Sequence, residues 1–220
     1  MVGVTELDHT PLSPDLLLAA YRNGLFPMAD RRDDPEIFWV DPRMRGIIPL
    51  DGVHVSRSLA RTIRQDRFVI SLDAHFSGVV QGCANRPETW INDPIKDLYA
   101  QLHYLGFAHS VEVWRDNRLV GGVYGVAIGG CFFGESMFST QRDASKVALV
   151  WLLTHLRDCG FQLFDTQFLT PHLATLGAIE ISRGRYHKKL KDALLIKAAI
   201  NKNRFPVTGY EVIQRSAQTS

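Results

Sequence analysis

Apolar positions along this chain recur with two periods, and the points where the period changes divide it into elements. Ser13-Pro14-Asp15 leads into LLLAAYRNG, which reads as a short helix with Ser13 as N-cap, Pro14 in its first turn and Gly24 as its stop. A loop of mixed charge runs through Glu36. The segment IFWVDPRMRGIIPLDG then carries short β-prone runs at Ile37 to Val40 and Gly46 to Leu50, a small α+β element rather than an independent core. In His54 to Asp66, Val55, Leu59 and Ile63 recur at helical spacing, with Ser56 or Ser58 available as a cap. Phe68 to Leu72 predicts a strand and Ala74 to Asn85 a helix. Asp93-Pro94 opens another helix, which turns Ile95, Leu98, Tyr99, Leu102 and Leu105 inward and ends at Gly106.

From Ala108 the pattern becomes strongly β. HSVEVWR is a strand, Asp116-Asn117 a turn, LVGGVYGVAIG the return strand, and Gly129-Gly130 turns again into CFFGESMFS. Gly121, Gly122, Gly125 and Gly129 in or beside the long strand point to bulges or to close approach of another backbone or a ligand. Asp143 to Leu156 is apolar almost all round, which predicts a largely buried helix. After it come the strand FQLFDTQFLT (Phe161 to Thr170), a short helix around Pro171 to Leu176, a strand at Ala178 to Ile181 and a basic helix from Tyr186 toward Ile200. Gln214 to Ser220 is polar and reads as a frayed end. There is no internal repeat and no low-complexity segment. The order is an α+β layout that resembles the GNAT acyltransferase fold.

Composition narrows the function only a little. With 220 residues, 45% hydrophobic and 22% charged, the chain describes an ordinary soluble globular protein. A net charge of +2 and a pI near 8.5 do not demand nucleic acid, so an anionic partner needs a local basic patch. Cys83, Cys131 and Cys159 are odd in number and lack C-x-x-C spacing, which argues against a disulfide framework or zinc site and fits a reducing cytoplasm. The N-terminal MVGVTELDHTPLSPD is no signal peptide, and no window approaches the roughly 18 apolar residues of a membrane span. A soluble, cytoplasmic protein is expected.

Chemistry concentrates in two places. In FQLFDTQFLT a period of two puts Phe161, Leu163, Asp165 and Gln167 on one face. A carboxylate ending a buried strand needs a hydrogen-bond partner, a counter-charge or a reaction to serve. Asp165 therefore admits two readings, a cap for the helix begun at Thr170-Pro171, or a functional group facing the second polar cluster, GESMFS from Gly134 to Ser139. Trp39, beside Asp41, Arg43 and Arg45, is either core with a solvated rim or a stacking platform for a base. Trp90 lies in a loop, where a covering ligand would explain an indole. Arg57, Arg61 and Arg64 share a helix face, and Arg183, Arg185, Lys188, Lys189 and Lys191 form the densest basic run; each is a solvated face or a phosphate-reading stripe. No histidine pairs with a serine and an acid at motif spacing, so a hydrolase triad is not supported. A coenzyme A enzyme of GNAT type needs a glycine-bearing amide cradle before the buried helix. Gln141-Arg142-Asp143-Ala144-Ser145-Lys146 has no glycine, and Asp143 would repel the pyrophosphate.

The runs WINDPIKDLYAQLHYLGFAHSVEVW from Trp90, LVGGVYG, GESMFS, ASKVAL and DTQ, with YRNGLFPM before them and LGAIEISR after, resemble bacterial leucyl/phenylalanyl-tRNA–protein transferase over nearly the whole chain. The resemblance implies transfer of leucine or phenylalanine, and less so methionine, from tRNA to proteins beginning with Lys or Arg, marking them for degradation. It implies a small N-terminal domain (residues 1–52) before a GNAT-like catalytic domain (53–220), no cofactor or metal, and a monomer. Two departures stand out: the usual D-C-Q is Asp165-Thr166-Gln167, and the usual tryptophan pair is Phe38-Trp39.

An aminoacyl-tRNA is an activated ester, so the enzyme must supply a neutral amine, orientation and oxyanion stabilisation. In the family's mechanism Asp165, through Gln167, takes the amine proton; a shuttle through the ribose hydroxyl is the alternative. Glu135 orients the acceptor amine or reads its cationic side chain, or else is a rim carboxylate paired with Arg142. Phe132, Met137, Leu152 and Phe164 are the apolar candidates for the aminoacyl pocket, and Tyr99, Ser136, Trp39 and Trp90 complete the substrate-binding set. Against this stand a coenzyme A-dependent GNAT enzyme, which the missing glycines disfavour, and a non-catalytic RNA binder, which would not need Asp165 and Gln167.

Overall fold

A computed structural model describes residues 3–5, 12–28, 38–86, 89, 91–206 and 208–216. Helix α1 (Pro14–Arg22) begins where its cap predicts, with Ser13 Oγ accepting the Leu16 N–H at 3.2 Å, and Gly24 turns the chain out at φ +77°. Its apolar face, Leu17, Leu18, Ala20 and Tyr21, is buried. Beside it lies a small antiparallel sheet of β1 (Gly3–Thr5), β3 (Phe38–Asp41) and β2 (Phe26–Met28) in that order. Trp39 pairs with Pro27 and is 4% exposed, so its indole is core.

The next strand corrects one expectation. Met44–Ile48 (β4), read from sequence with the small N-terminal unit, is a strand of the large sheet. Four of its five residues are buried, including both faces, as an inner strand requires. That sheet also contains β5 (Val69–Leu72), β6 (Ala108–Arg115), β7 (Arg118–Ile128), β8 (Cys131–Ser139), β9 (Leu163–Gln167) and β10 (Ile179–Ser182), in the order β10-β4-β9-β8-β7-β6-β5. Every pair is antiparallel except β8 with β9. Parallel neighbours need a crossover, and α5 (Ala144–Asp158) supplies it, with 12 of its 15 residues buried as its all-round apolar pattern predicts.

Each face of the sheet carries its own core. α5, α2 (Arg57–Arg64) and α8 (Gly209–Ser216) cover one face with Leu59, Ile63, Val212 and the α5 leucines. α1, α3 (Phe76–Ala84), α4 (Asp93–Tyr104) and α7 (Arg183–Leu194) cover the other with Tyr21, Val79, Leu102 and Tyr186. The short α6 (Pro171–Ala174) links β9 to β10.

Three further expectations change. Leu105 is 53% exposed because α4 ends at Tyr104 and Gly106, at φ +79°, turns the chain away. The polar end is ordered as α8 through Ser216, since Val212 anchors it to α2 and α5. The basic helix begins at Arg183 and stops at Leu194. Trp90 and the run from Arg31 to Ile37 lie outside the described residues. Among the described residues, no helix is long and apolar enough to cross a membrane.

Candidate active site

Two β-bulges on neighbouring strands build the site. On β8, Ser136 stands opposite Tyr124 and Gly134 opposite Gly125, which leaves Glu135 as the extra residue. A bulge bends its strand and re-aims the inserted side chain. Gly125 makes room for it, since a Cβ there would lie 2.1 Å from the Phe133 carbonyl. On β9, Gln167 stands opposite Gly46 and Asp165 opposite Ile47, which leaves Thr166 as the extra residue. A Cβ on Gly46 would lie 2.6 Å from both Phe168 carbonyl carbon and Thr166 Oγ1. Beyond that bulge Gln167 takes φ +64°, a conformation uncommon outside glycine.

Glu135 is half-buried and is met by three neutral donors from three elements. Tyr21 of α1 donates to Oε1 at 2.6 Å, Tyr99 of α4 to Oε2 at 2.7 Å, and Gln167 Nε2 to Oε1 at 3.1 Å. The two tyrosine hydroxyls lie 2.8 Å apart. No cation is among these partners. Burial pushes the Glu135 carboxyl up to about 7, above the ordinary carboxylate range, although the three hydrogen bonds favour the ionised form; the charge of Asp165 adds to the rise. Burial and the adjacent Glu135 also hold both tyrosine hydroxyls well above their ordinary value. The Arg142 partnership considered from sequence is not made: Arg142 is 92% exposed and lies 3.8 Å from Asp143.

Asp165 is handled differently. It is fully buried and accepts four hydrogen bonds. Arg45 Nε reaches Oδ1 at 2.9 Å and its Nη2 reaches Oδ2 at 2.7 Å, a bidentate pair. The Tyr186 hydroxyl donates to Oδ2 at 2.7 Å and the Gln167 backbone N–H to Oδ1 at 2.8 Å. Burial alone would lower the Arg45 guanidinium, but Asp165 beside it more than offsets this, and the group stays protonated. Its lone pairs are filled, it has no exposed atom, and one of its four bonds goes to the backbone of Gln167. Neither carboxylate caps the Thr170-Pro171 helix, whose cap is Thr170 Oγ1 itself.

The other nominated residues divide between the faces. Tyr99 joins the Glu135 cluster, where its hydroxyl binds the carboxylate rather than open space. Ser136 is half-buried on the same face and bonds Cys83, whose thiol burial pushes up to about 12. Phe132, Leu152 and Phe164 lie in the core on the other face, at most 2% exposed, with half-buried Met137 packed against them. Phe132 and Phe164 stack with centroids 5.5 Å apart, behind the Glu135 bulge and not in one cluster with its carboxylate. Arg57, Arg61 and Arg64 are exposed on α2, and none of the ion pairs among the described residues uses them. Arg183 approaches Asp41, Lys188 is exposed, and Arg185 and Lys189 line a cavity of about 390 Å³ with Arg157 and Asp51.

Sequence reasoning missed Tyr21, Arg45 and Tyr186. Tyr21 and Tyr186 pass for core rings on apolar helix faces. Arg45 had a signal: at a period of two it shares a face with Ile47, a charge inside an apolar strand like Asp165. The solvated rim considered for it is wrong, since Arg45 is 0% exposed.

The sequence model of the leucyl/phenylalanyl-tRNA protein transferase family matches residues 47–191, and the model of that family's N-terminal domain matches residues 10–43. The chain belongs to this family. Curated relatives named leucyl/phenylalanyl-tRNA–protein transferase include one from Ruegeria sp. (strain TM1040), 63% identical over 183 residues, 83% of this chain and 87% of that protein. Another, from Dinoroseobacter shibae, is 59% identical over 201 residues, 91% of this chain and 90% of that protein. A third, from Cereibacter sphaeroides (strain ATCC 17025), is 59% identical over 209 residues, covering 95% and 98%. As a member of this family the chain is an aminoacyltransferase. The site draws on both matched segments, Tyr21 from the shorter and Glu135, Asp165 and Gln167 from the longer, and Arg45 sits between them.

Proposed function

We propose that this chain transfers leucine or phenylalanine, and less readily methionine, from aminoacyl-tRNA to the N-terminal amine of proteins beginning with Lys or Arg, which marks them for degradation. The β8-α5-β9 crossover at the centre of the sheet supports a GNAT-like acyltransferase core, with residues 1–52 contributing α1 and the small sheet.

The observation that carries the mechanism is Glu135, half-buried, held by three neutral donors with no cation paired to it among the described residues, and poised near pH 7 by burial. An α-amino group titrates at roughly 7.7–8.0, so a base near 7 is well matched to remove its proton. The ammonium passes its first proton through Glu135 to solvent; the neutral amine then attacks the ester carbonyl, and the second N–H proton passes to the ionised Glu135 as the C–N bond forms. As the tetrahedral intermediate collapses, the bond from carbonyl carbon to ribose oxygen breaks and the departing oxygen takes that proton. Tyr21, Tyr99 and Gln167 hold the carboxylate for both transfers. Asp165, nominated as acceptor from sequence, is assigned to position Gln167.

For the donor, Phe132, Leu152 and Phe164 are core packing behind the bulge rather than a surface for the aminoacyl side chain, half-buried Met137 stays an apolar candidate, and Trp90 is retained for adenine stacking. Arg57, Arg61 and Arg64, with Arg183, Arg185, Lys188 and Lys189, supply charge for the acceptor stem. The test is radiolabelled leucyl-tRNA mixed with the purified chain and a protein bearing N-terminal arginine, with nothing else added. Label should move to the protein, and Glu135→Gln should slow it by about 10²-fold or more. No transfer by the wild type defeats the function; undiminished transfer by Glu135→Gln defeats the base.

A further inference from the structure

Arg45 makes more contacts than an ion pair needs. Besides its two bonds to Asp165, Nη1 donates to the Gly24 carbonyl at 2.9 Å and Nη2 lies 3.2 Å from the Tyr186 hydroxyl. The guanidinium also lies between two rings, 4.5 Å from the Phe26 centroid and 4.3 Å from that of Tyr186. Gly24 ends α1, its N–H bonded to the Tyr21 carbonyl at 3.0 Å. Asp165 Oδ1 is shared between Arg45 Nε and the Gln167 N–H, and that second bond helps keep Gln167 in its φ +64° conformation.

We propose that Arg45 is a positioning residue for aminoacyl transfer: one buried guanidinium holds the end of α1 behind Tyr21 and, through Asp165, the backbone of Gln167. Two of the three donors on Glu135 are thereby placed by a group that touches neither Glu135 nor substrate. The inference rests on Glu135 being the base. It requires arginine rather than lysine, because only a planar fork bonds Asp165 through two nitrogens, reaches Gly24 with a third and offers two faces to flanking rings.

The position of Glu135's titration reports on the device. Glu135 is faced by Tyr21 from α1, Tyr99 from α4, Gln167 and Asp165 from β9, and Tyr124 from β7, with Cys83 of α3 and Arg86, just after that helix, beyond Tyr124. Among these, Tyr21 and Gln167 favour the ionised carboxylate by hydrogen bonding. If Arg45 aligns them, loosening it must make Glu135 harder to ionise.

Arg45→Lys keeps the buried charge and loses the fork, and is measured with leucyl-tRNA and an N-terminal-arginine protein. Its kcat should fall by about 10- to 100-fold, as for small displacements of a reacting group. KM for leucyl-tRNA should stay within about threefold, and the acid limb of the pH profile should move to higher pH. In a Tyr21→Phe/Gln167→Ala background the same change should cost little more, because the path is already cut. A folded Arg45→Lys with wild-type kcat and an unmoved limb overturns the proposal, as does a fully additive loss in that background. Should Arg45→Lys fail to fold, Tyr186→Phe removes one donor from Asp165 and spares the ion pair. Its limb should move the same way and less, and an unmoved limb overturns the proposal. Glu135→Gln, assayed alongside, separates the two levels. If it stays active the base reading falls; if it is inactive while Arg45→Lys is normal, only the positioning role falls.

Discussion

Asp165 and Glu135 lie on neighbouring strands, each beside a bulge, and the fold surrounds them in opposite ways. Asp165 has a guanidinium, four donors and no exposed atom. Among the described residues Glu135 has three neutral donors and no cation, and it is only partly buried. A carboxylate gripped by a bidentate guanidinium with its remaining lone pairs filled is fixed in place and serves as an anchor. A carboxylate desolvated without a cation is held close to neutrality and can exchange a proton near pH 7. The proposed anchor and the proposed base are thus told apart by their partners. That Gln167 touches both, by its N–H and by its side chain, makes the anchor useful to the base.

The largest effect that could break this comparison is on rate. Glu135→Gln keeps volume and removes the proton acceptor, so single-turnover transfer should slow by about 10²–10⁴-fold with leucyl-tRNA affinity near normal. Equal affinity and equal rate would return the base role to another group, such as the ribose hydroxyl.

Asp165 should instead register as stability. Asp165→Ala leaves Arg45 buried and unpaired, which costs about 3–5 kcal/mol, read by denaturant unfolding. The double variant Arg45→Met/Asp165→Leu replaces the pair with apolar groups, and should recover much of that stability. Its turnover should stay low, because Gln167 has lost the acceptor for its N–H. Full turnover in the stable double variant would show that the anchor does nothing for the base.

What the sequence made visible follows from how each signal arises. Asp165 and Gln167 stand out because they interrupt an apolar strand, and Glu135 because GESMFS breaks an apolar run; the glycine-rich β7 announced a bulge, and Gly125 accommodates one. The Ser13 cap placed α1 and the Asp93-Pro94 pair placed α4, whose cap in the structure is Asn92, each cap acting on an N–H three residues on. Long-range partners were not legible. Arg45 lies 120 positions from Asp165 in a short strand rich in proline and glycine neighbours, where a charge passes for a solvated rim. Tyr21 shares an apolar helix face with Leu17, so nothing local separates its hydroxyl from a core ring. Phe132 and Phe164 lie close in sequence to the polar clusters, but strand alternation puts them in the other core, where helix α5 also places Leu152.

Smaller effects test the neutral donors. Tyr99→Phe and Tyr21→Phe each remove one hydrogen bond to a charged group, worth about 1.5–3 kcal/mol when that group is ionised. Since each bond favours the ionised form, its loss should move the acid limb of kcat/KM to higher pH and lower the rate at pH 6.5–7 by about tenfold. At higher pH, where Glu135 ionises regardless, most of the rate should return. A loss equal at all pH values would mean that the tyrosines orient substrate instead.

The smallest effect is thermodynamic and has the opposite sign to the usual surface carboxylate. Glu135 titrates at an ordinary carboxylate value of 4.5 when unfolded and at about 7 when folded. Between those limits the native state binds the proton more tightly, so its contribution is fully present below about 4.5 and is lost as pH rises through about 7. Ionised Glu135 therefore costs the fold stability at the pH where it is proposed to act as a base. Glu135→Gln removes that cost, since an amide does not ionise, and its side chain can still accept from Tyr21 and donate to the Tyr99 hydroxyl. Relative to wild type, the variant's Tm should rise by a few degrees at pH 8, on the scale of about 1–2 kcal/mol for a chain of this size. At pH 4, below both values, the two proteins should melt nearly together. A Tm difference that did not change between pH 4 and pH 8 would mean that Glu135 titrates alike in both states. It would then be an ordinary carboxylate, and the contrast with Asp165 would rest on geometry alone.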